Sequence, residues 1–530
     1  MPRNRPLTLP AHITALLDPE AYPERPASIE LRQTHISYIF FTPDAVYKIK
    51  KPVNFGFLDF STPAKRLFYC NEEVRLNKRL APDMYYGVVP VCEEGGRVRV
   101  GGPGTPVDYA VKMTRLRPET ILEEMVKKDE AAPEIIKKVA QVIAGFHKAA
   151  ATDARISAFG SADAIRKNCE ENFSQTGGGG AAAMSMSISR ERLGAIRGYA
   201  VGFLKSNEAL FQRRVKDGFI RDCHGDIHLE NISIDGGVRI FDCIEFSERF
   251  RFSDTASDIA FLSMDLDFHN RHDLARLLED EYLSAMNDSD GGKLLNFYKC
   301  YRAYVRGKVD GLKFMEAEVT DAEKSEAFLS ALRHFHLSAV YASGGFIPMM
   351  IILGGLSGTG KTALAMRLAK TINAPAVSSD TVRKELAGVS PHERLSAGFQ
   401  KGIYSAEFTE KTYNELVLRG AGLLRQGRTC ILDATFSKNS FIEKARAAAL
   451  SAKGGFKIIE CRAGDETIKD RITKRLAMPP APGEPVSDIT WEVYQEQKRS
   501  FEAIGGPILS CNAEKTLDEN SLLAIKWLFS

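Results

Sequence analysis

Between Arg221 and Gly237 the chain reads RDCHGDIHLENISIDGG, with Asp226 after His224-Gly225 and Asn231 five residues further on. An aspartate that accepts a hydroxyl proton, followed at this interval by an amide that ligates Mg²⁺, has the spacing of a kinase catalytic loop. The next apolar run, RIFDCIEF, ends in Asp242, placed to be a second Mg²⁺ ligand, and continues to Glu245. Phosphoryl transfer also needs a cation on the phosphates that stay behind. Lys48 lies on the segment AVYKIK, and Glu72 and Glu73 lie on the helical pattern that follows. A lysine held by a glutamate fixes the α- and β-phosphates. Alternation puts Val46, Lys48 and Lys50 on one strand face. Lys48 is the first choice for that cation, with Lys50 or Lys51 as alternatives.

A second phosphate device begins at Gly355. GLSGTGKT, through Ser357, Gly358, Thr359, Gly360 and Lys361 to Thr362, fits G-x-x-x-x-G-K-[ST] between the apolar run MMIIL and the helical pattern KTALAMRLAKTI. Glycines let backbone N–H groups turn inward around phosphates, and the helix N-terminus adds a favourable dipole. Lys361 is expected to reach the β- and γ-phosphates and Thr362 to offer its hydroxyl to Mg²⁺. Asp380 follows another strand pattern, with Arg383 one turn on, so a carboxylate and a guanidinium share one helix face where an acceptor hydroxyl could sit. A helix N-cap is the structural alternative for Asp380. TCILDAT brings Asp433 to a further strand end as an acid near Mg²⁺, and Arg471 and Arg475 lie on a helical pattern that reads as a lid before MPPAPGEP.

On these residues the first half, over roughly 30–330, resembles the aminoglycoside phosphotransferase and choline kinase group of protein-kinase-like enzymes. The resemblance implies Asp226 as catalytic base, Asn231 and Asp242 as Mg²⁺ ligands and Lys48 on the ATP phosphates. It also implies that His228 supports the loop and that Asp258 caps a helix and braces it. The turn RQTHIS departs from the Gly-rich loop of protein kinases, and Ser37 or its N–H is the substitute expected there. The second half, 348–530, resembles small P-loop kinases of the zeta-toxin, gluconate-kinase and polynucleotide-kinase kind, which implies Asp380 as general base and Arg383 as acceptor holder. The whole is similar to a bacterial bifunctional aminoglycoside phosphotransferase/ATP-binding type.

The elements that must carry these residues are legible in outline. The first 115 or so residues are strand-rich around one helix, STPAKRLFYCNEEVRLNKRLA, with Ser61 or Thr62 at its start. Helical patterns dominate to about residue 340, and SQTGGGGAAAMSMSIS (174–189) reads as a mobile loop. SGGFIP, at 343–348, marks a boundary, after which strands and helices alternate as in a parallel sheet covered on both faces. The expectation is an α+β kinase-like domain over 1–342, with a sheet N-lobe and a helical C-lobe, followed by an α/β P-loop domain over 348–530.

Composition frames the function. The chain has 530 residues, 44% apolar and 26% charged, with a net charge of +3. That balance gives no electrostatic case for nucleic acid or membrane partners. Nine unpatterned cysteines read as reduced thiols, and no apolar run approaches the ~20 residues that span a bilayer. The expectation is a cytoplasmic ATP- and Mg²⁺-dependent phosphotransferase acting on a small-molecule hydroxyl, fused to a second ATP-using kinase domain. The alternatives are a polynucleotide-type 5′-hydroxyl kinase in the second half, or one domain that binds ATP only to regulate. Glu245, Glu248, Asp265 and Asp267 read as a solvated acidic face, with a cationic-substrate platform as the alternative. Acceptor pockets are assembled from dispersed side chains, so no local motif encodes either acceptor.

Overall fold

The computed structural model describes residues 9–56, 58–177, 187–315, 319–390, 402–477 and 490–529. It divides into two compact units. The first comprises residues 1–167, 204–262 and 277–295, and the second residues 168–203, 263–276 and 296–530.

The first unit is built on a six-stranded sheet of order β1-β2-β3-β6-β4-β5. Its strands are β1 (Glu30–Gln33), β2 (Ser37–Phe41), β3 (Ala45–Lys50), β4 (Tyr85–Glu94), β5 (Arg97–Val100) and β6 (Thr105–Thr114), paired antiparallel. In β3 Lys48 stands opposite Ile39 of β2 and Val111 of β6. The helix Pro63–Asn77 starts where Thr62 accepts the Lys65 N–H and Pro63 takes the first helical position, whose N–H would be unpaired anyway. Its inner face carries Cys70 and Val74 into a cluster with Val46, Tyr85, Val111 and Met113. That packing also turns Glu73 inward, where it is fully buried.

Two short strand pairs complete the frame. β7 (Ile220–Asp222) runs antiparallel to β10 (Phe252–Asp254), and β8 (Ile232–Ile234) forms a hairpin with β9 (Val238–Ile240). Because Ile232 pairs with Ile240, the residues just outside the hairpin, Asn231 and Phe241, are neighbours, and the Phe241 N–H donates to the Asn231 carbonyl at 3.0 Å. A tight hairpin thus closes the distance between Asn231 and Asp242, eleven positions apart in the chain.

The second unit centres on a parallel sheet of order β12-β13-β11-β14-β15: β11 (Met349–Gly354), β12 (Ala376–Ser378), β13 (Cys430–Asp433), β14 (Gly455–Arg462) and β15 (Ile508–Asn512). Alternation along β11 sends Ile351 and Leu353 to one face and Met350 and Ile352 to the other. The first face is covered by helices Lys361–Ile372 and Leu517–Phe529 and also by Asp321–Ala342, whose Phe328 and Leu332 lie in the same core. Helices Ala406–Arg425 and Asn439–Ser451 cover the other face with Tyr413, Leu416, Phe441 and Ile442. The parallel sheet and its two helical layers are as expected, but the compact unit reaches back to include residues 296–342.

The segment expected to loop from residue 174 is helical as far as Gly177, and residues 178–186 lie outside the described residues, as does MPPAPGEP. All nine cysteines are buried and free. Among the described residues no helix is long and apolar enough to cross a membrane.

Candidate active sites

In the first unit the structure settles which lysine faces which acid. Lys48 Nζ lies 2.6 Å from Asp242 and 3.0 Å from Glu73. Lys50, almost fully buried, lies 2.6 Å from the other Glu73 oxygen and pairs with Glu245. Lys51 instead lies over the Tyr38 ring. Glu72 faces outward and binds Arg75, so Glu73 alone of the two glutamates meets the lysines. Burial by itself would raise the Glu73 carboxyl, but the Lys48 and Lys50 charges hold it down at about 2. Burial would lower Lys48, yet Asp242, Glu73 and Glu245 hold it well above the ordinary range.

The loop after β7 is fixed from below. Asp258, in the first turn of the helix Thr255–Phe268, accepts the N–H groups of His224 and Gly225, each at 2.9 Å. His147 supports Asp258 at 3.2 Å and meets the Tyr282 hydroxyl at 2.6 Å. Gly225 has φ +87°, and a Cβ there would sit 2.9 Å from the Phe250 carbonyl, so only glycine fits. The loop then presents Asp226 half-exposed. Asn231 donates to its carbonyl at 3.1 Å and its carboxylate at 3.3 Å, and His228 Nε2 lies 3.5 Å from the same carboxylate. His224 feels the charges of Asp258, Asp226 and Asp242, but burial outweighs them and pushes it down to about 4. It therefore stays neutral, and its Nδ1 accepts the Asp226 N–H at 3.3 Å.

Asp242 has φ +62°, a strained conformation for a residue with a side chain. Its N–H donates to the Tyr85 hydroxyl at 3.3 Å, the next N–H to Asn77 at 2.9 Å, and that of Ile244 to the His224 carbonyl at 3.2 Å. Asn231, Asp242 and Asp226 offer hard oxygen donors, the set that suits Mg²⁺. The Ser37 hydroxyl, where RQTHIS turns into β2, is buried and finds no hydrogen-bond partner among the described residues, which leaves a donor for a phosphate oxygen.

The acids read as a solvated face are not one. Glu245 and Asp267 are buried, the former against Lys50 and the latter against Lys299, His272 and Tyr341. Glu248 pairs with Arg155 at the surface, and Asp265 lies 3.8 Å from His269. A run of acids does not reveal the cations that the fold brings to it.

In the second unit β11 leads into a loop with φ +133° at Gly355, +83° at Gly358 and +81° at Gly360. A Cβ on Gly355 would lie 2.4 Å from the Cys461 carbonyl. Lys361 opens the following helix, and Thr362 donates to Asp433 Oδ2 at 2.7 Å. Burial raises the Asp433 carboxyl against the pull of Lys361 and the Thr362 hydroxyl. Its Oδ1 has no hydrogen-bond partner among the described residues. A hydroxyl beside a buried, half-paired carboxylate fits a hard divalent ion.

The other predicted residues fall differently. Ser378, not Asp380, caps the helix Ser379–Leu386, and Asp380 lies 3.9 Å from Lys384, which the sequence reading missed. The Arg383 guanidinium donates to the Ile403 carbonyl and the Thr409 hydroxyl and lies over Tyr404, and the Asp380 charge also acts on it. Arg471 donates to the carbonyls of Gly358 and Ala513, which ties the helix Asp465–Ala477 to the phosphate loop. Arg475 lies on the helix Asp465–Ala477, with its side chain outside the described residues.

A parallel sheet with its phosphate loop between the central strand and a helix defines a P-loop nucleotide-binding domain, and a family model described as an AAA domain matches residues 350–504. Beyond that domain, the chain is 30% identical over 448 residues to the uncharacterized protein Rv2004c of Mycobacterium tuberculosis (strain ATCC 25618 / H37Rv), covering 84% of this chain and 86% of the relative. The uncharacterized protein Mb2027c of Mycobacterium bovis matches to the same extent, and the chain belongs to the family of these mycobacterial proteins. Among solved structures, a choline/ethanolamine kinase family protein from Mesorhizobium loti is similar over 63% of this chain and 100% of its own, at 13% identity and TM-score 0.36. The Mycobacterium tuberculosis APS kinase CysC, in complex with AMPPNP and APS, is similar over 35% of this chain and 99% of its own, at 19% identity and TM-score 0.28. At those TM-scores neither likeness bears on chemistry.

Proposed function

We propose that the protein is a double kinase, which transfers the γ-phosphoryl group of ATP to a small-molecule hydroxyl at Asp226 and uses ATP a second time at the P-loop. The observation that carries this reading is the convergence of Lys48, Glu73 and Asp242 from three separate elements. It stands beside a loop in which Asn231 pins Asp226. Structural ion pairs need no such partner loop; phosphoryl transfer needs both.

In this mechanism Asp226 accepts the proton of the acceptor hydroxyl as the oxygen attacks. Asn231 holds the Asp226 carboxylate in one orientation, and neutral His224 accepts the Asp226 N–H and fixes the backbone beneath it. Lys48, kept cationic by its acids, binds the phosphates that stay behind. Asn231 and Asp242 would hold Mg²⁺, which supplies charge neutralisation on the phosphate oxygens. At the second site the loop N–H groups and Lys361 bind phosphates, Thr362 and Asp433 would hold the ion, and Asp380, beside Lys384, is the candidate base. The whole chain is read as a cytoplasmic enzyme with no nucleic-acid partner.

The test is transfer of label from γ-labelled ATP across a broad set of hydroxylated metabolites, with wild type, Asp226→Asn and Lys361→Ala in parallel. A labelled product that vanishes in Asp226→Asn and persists in Lys361→Ala is expected for the first site, with the reverse for the second. Label transfer that survives both substitutions refutes the assignment.

A further inference from the structure

Five charges of alternating sign run through the first site: Asp242, Lys48, Glu73, Lys50 and Glu245. The proposed reaction uses the first three. The last two have no part in it, yet both are buried, with Lys50 1% and Glu245 8% exposed. Burying a cation costs several kcal/mol unless excellent partners surround it, so a buried pair next to a reaction centre calls for a reason.

The reason lies in the segment that both ends of the series hold. Asp242 and Glu245 are three residues apart in one stretch of chain, and two lysines two residues apart on β3 bind them, one each. Lys48 and Lys50 share a face of β3 because side chains there alternate. The segment is therefore clamped to the strand at two points. Asp242 sits in a left-handed backbone conformation that persists only when its surroundings over-determine it. The contact at Asp242 is the one the proposed reaction must give up, since Lys48 would be shared with phosphate and Asp242 with the cation. The contact at Glu245 is not. Lys50 also stays on Glu73, so Glu73 keeps a buried counter-charge when Lys48 turns to phosphate.

We infer that Lys50 and Glu245 are a positioning pair for the divalent-cation site, holding the 242–245 segment so that Asp242 can leave Lys48 for the ion without losing its backbone conformation. The inference rests on the proposed first nucleotide site.

The experiment uses the full chain carrying Lys361→Ala, which restricts nucleotide binding to the first site. Calorimetry measures the affinity for the non-hydrolysable analogue AMPPNP, first in EDTA and then at increasing Mg²⁺; electron paramagnetic resonance follows Mn²⁺ binding to the nucleotide complex. Glu245→Gln, equal in size but uncharged, is expected to leave the EDTA affinity within about 2-fold while raising the half-saturating Mg²⁺ or Mn²⁺ concentration about 10-fold, the cost of losing an outer support of a metal site. Lys50→Arg, which keeps the charge and can bind both glutamates, is expected to stay near the parent. The double variant Lys50→Met/Glu245→Leu replaces the buried pair with apolar groups, a change proteins tolerate well. It should fold and show the same loss of metal affinity, so the test stands even if Glu245→Gln is unstable. Unchanged metal dependence in a folded Glu245→Gln or double variant overturns the inference, as does an EDTA affinity that falls in the same proportion. Absence of any nucleotide binding to the Lys361→Ala chain refutes the first site itself, and the inference falls with it.

Discussion

Asp226 has the most to lose from a single atom exchange. Asp226→Asn keeps the size and the contact with Asn231 but removes the proton acceptor. Nucleotide affinity is expected within about 3-fold of wild type and turnover at least about 100-fold lower, measured as label transfer at saturating ATP. Full turnover would remove Asp226 from the role of base. The motif residues at this scale were legible because they are contiguous: one loop carries Asp226 and Asn231, and one hairpin later comes Asp242. Lys50, Glu245 and Tyr85 were not legible. Lys50 and Glu245 are 195 residues apart, and only the pairing of β3 with the neighbouring segment makes them partners. Partners of Arg383 and Arg471 were hidden for a related reason. They include the carbonyls of Ile403, Gly358 and Ala513, and no side-chain pattern announces a carbonyl.

Elements meet here through buried polar groups, and two of these are histidines. His224 under the loop and His336 between two helices are both held near 4, below the ordinary 6.5, chiefly by burial. His336 also lies near Arg192 and Lys457, and its Nδ1–H donates to the Phe529 carbonyl at 3.1 Å. The sign follows from proton counting. Between pH 6.5 and 4 the unfolded chain binds a proton at each histidine and the folded chain does not, so stability falls as pH drops through that window. Each site contributes a slope of up to about 1.4 kcal/mol per pH unit. Glu73, held at about 2, adds stability that is lost only at lower pH, as the unfolded carboxyl near 4.5 protonates first. His336→Asn keeps an N–H donor without a titrating ring, and denaturant titrations from pH 7 to 4 are expected to show a slope shallower by one proton. A slope unchanged by His336→Asn would mean that His336 is protonated in the folded protein. Most helix and strand positions were readable from period, and of the two caps expected for Pro63–Asn77, Ser61 or Thr62, the helix takes Thr62. The buried histidines were not readable, because period shows which face is inward and not which polar group fills it.

For the whole molecule the sequence marks its boundary at SGGFIP, where the helix Asp321–Ala342 has ended and β11 begins. Packing draws the line elsewhere. Phe328 and Leu332 of that helix fill the same core as Ile351, Leu364 and Ile525. Arg333 donates to the Thr371 carbonyl at the end of the phosphate-loop helix, where the cap residue Asn373 donates to the His269 carbonyl. Asn270 accepts the Thr429 N–H at 2.7 Å just before β13. A composition shift reports where the pattern of elements changes, and it is blind to an earlier helix that folds back on a later sheet. The consequence is testable by truncation. A 348–530 fragment keeps the phosphate loop and Asp433 but bares the sheet face that Phe328 and Leu332 cover. Removing one large buried side chain costs about 3–5 kcal/mol, of the order of a domain's entire net stability. The 348–530 fragment is therefore expected to aggregate or to unfold well below the full chain in thermal scans with ADP and Mg²⁺ present. Phe328→Ala in the full chain is expected to lower the same transition without touching Lys361 or Thr362. If 348–530 instead melts cooperatively at the full-chain temperature and binds ADP equally well, residues 321–342 are dispensable to the P-loop half and its folding unit begins at β11.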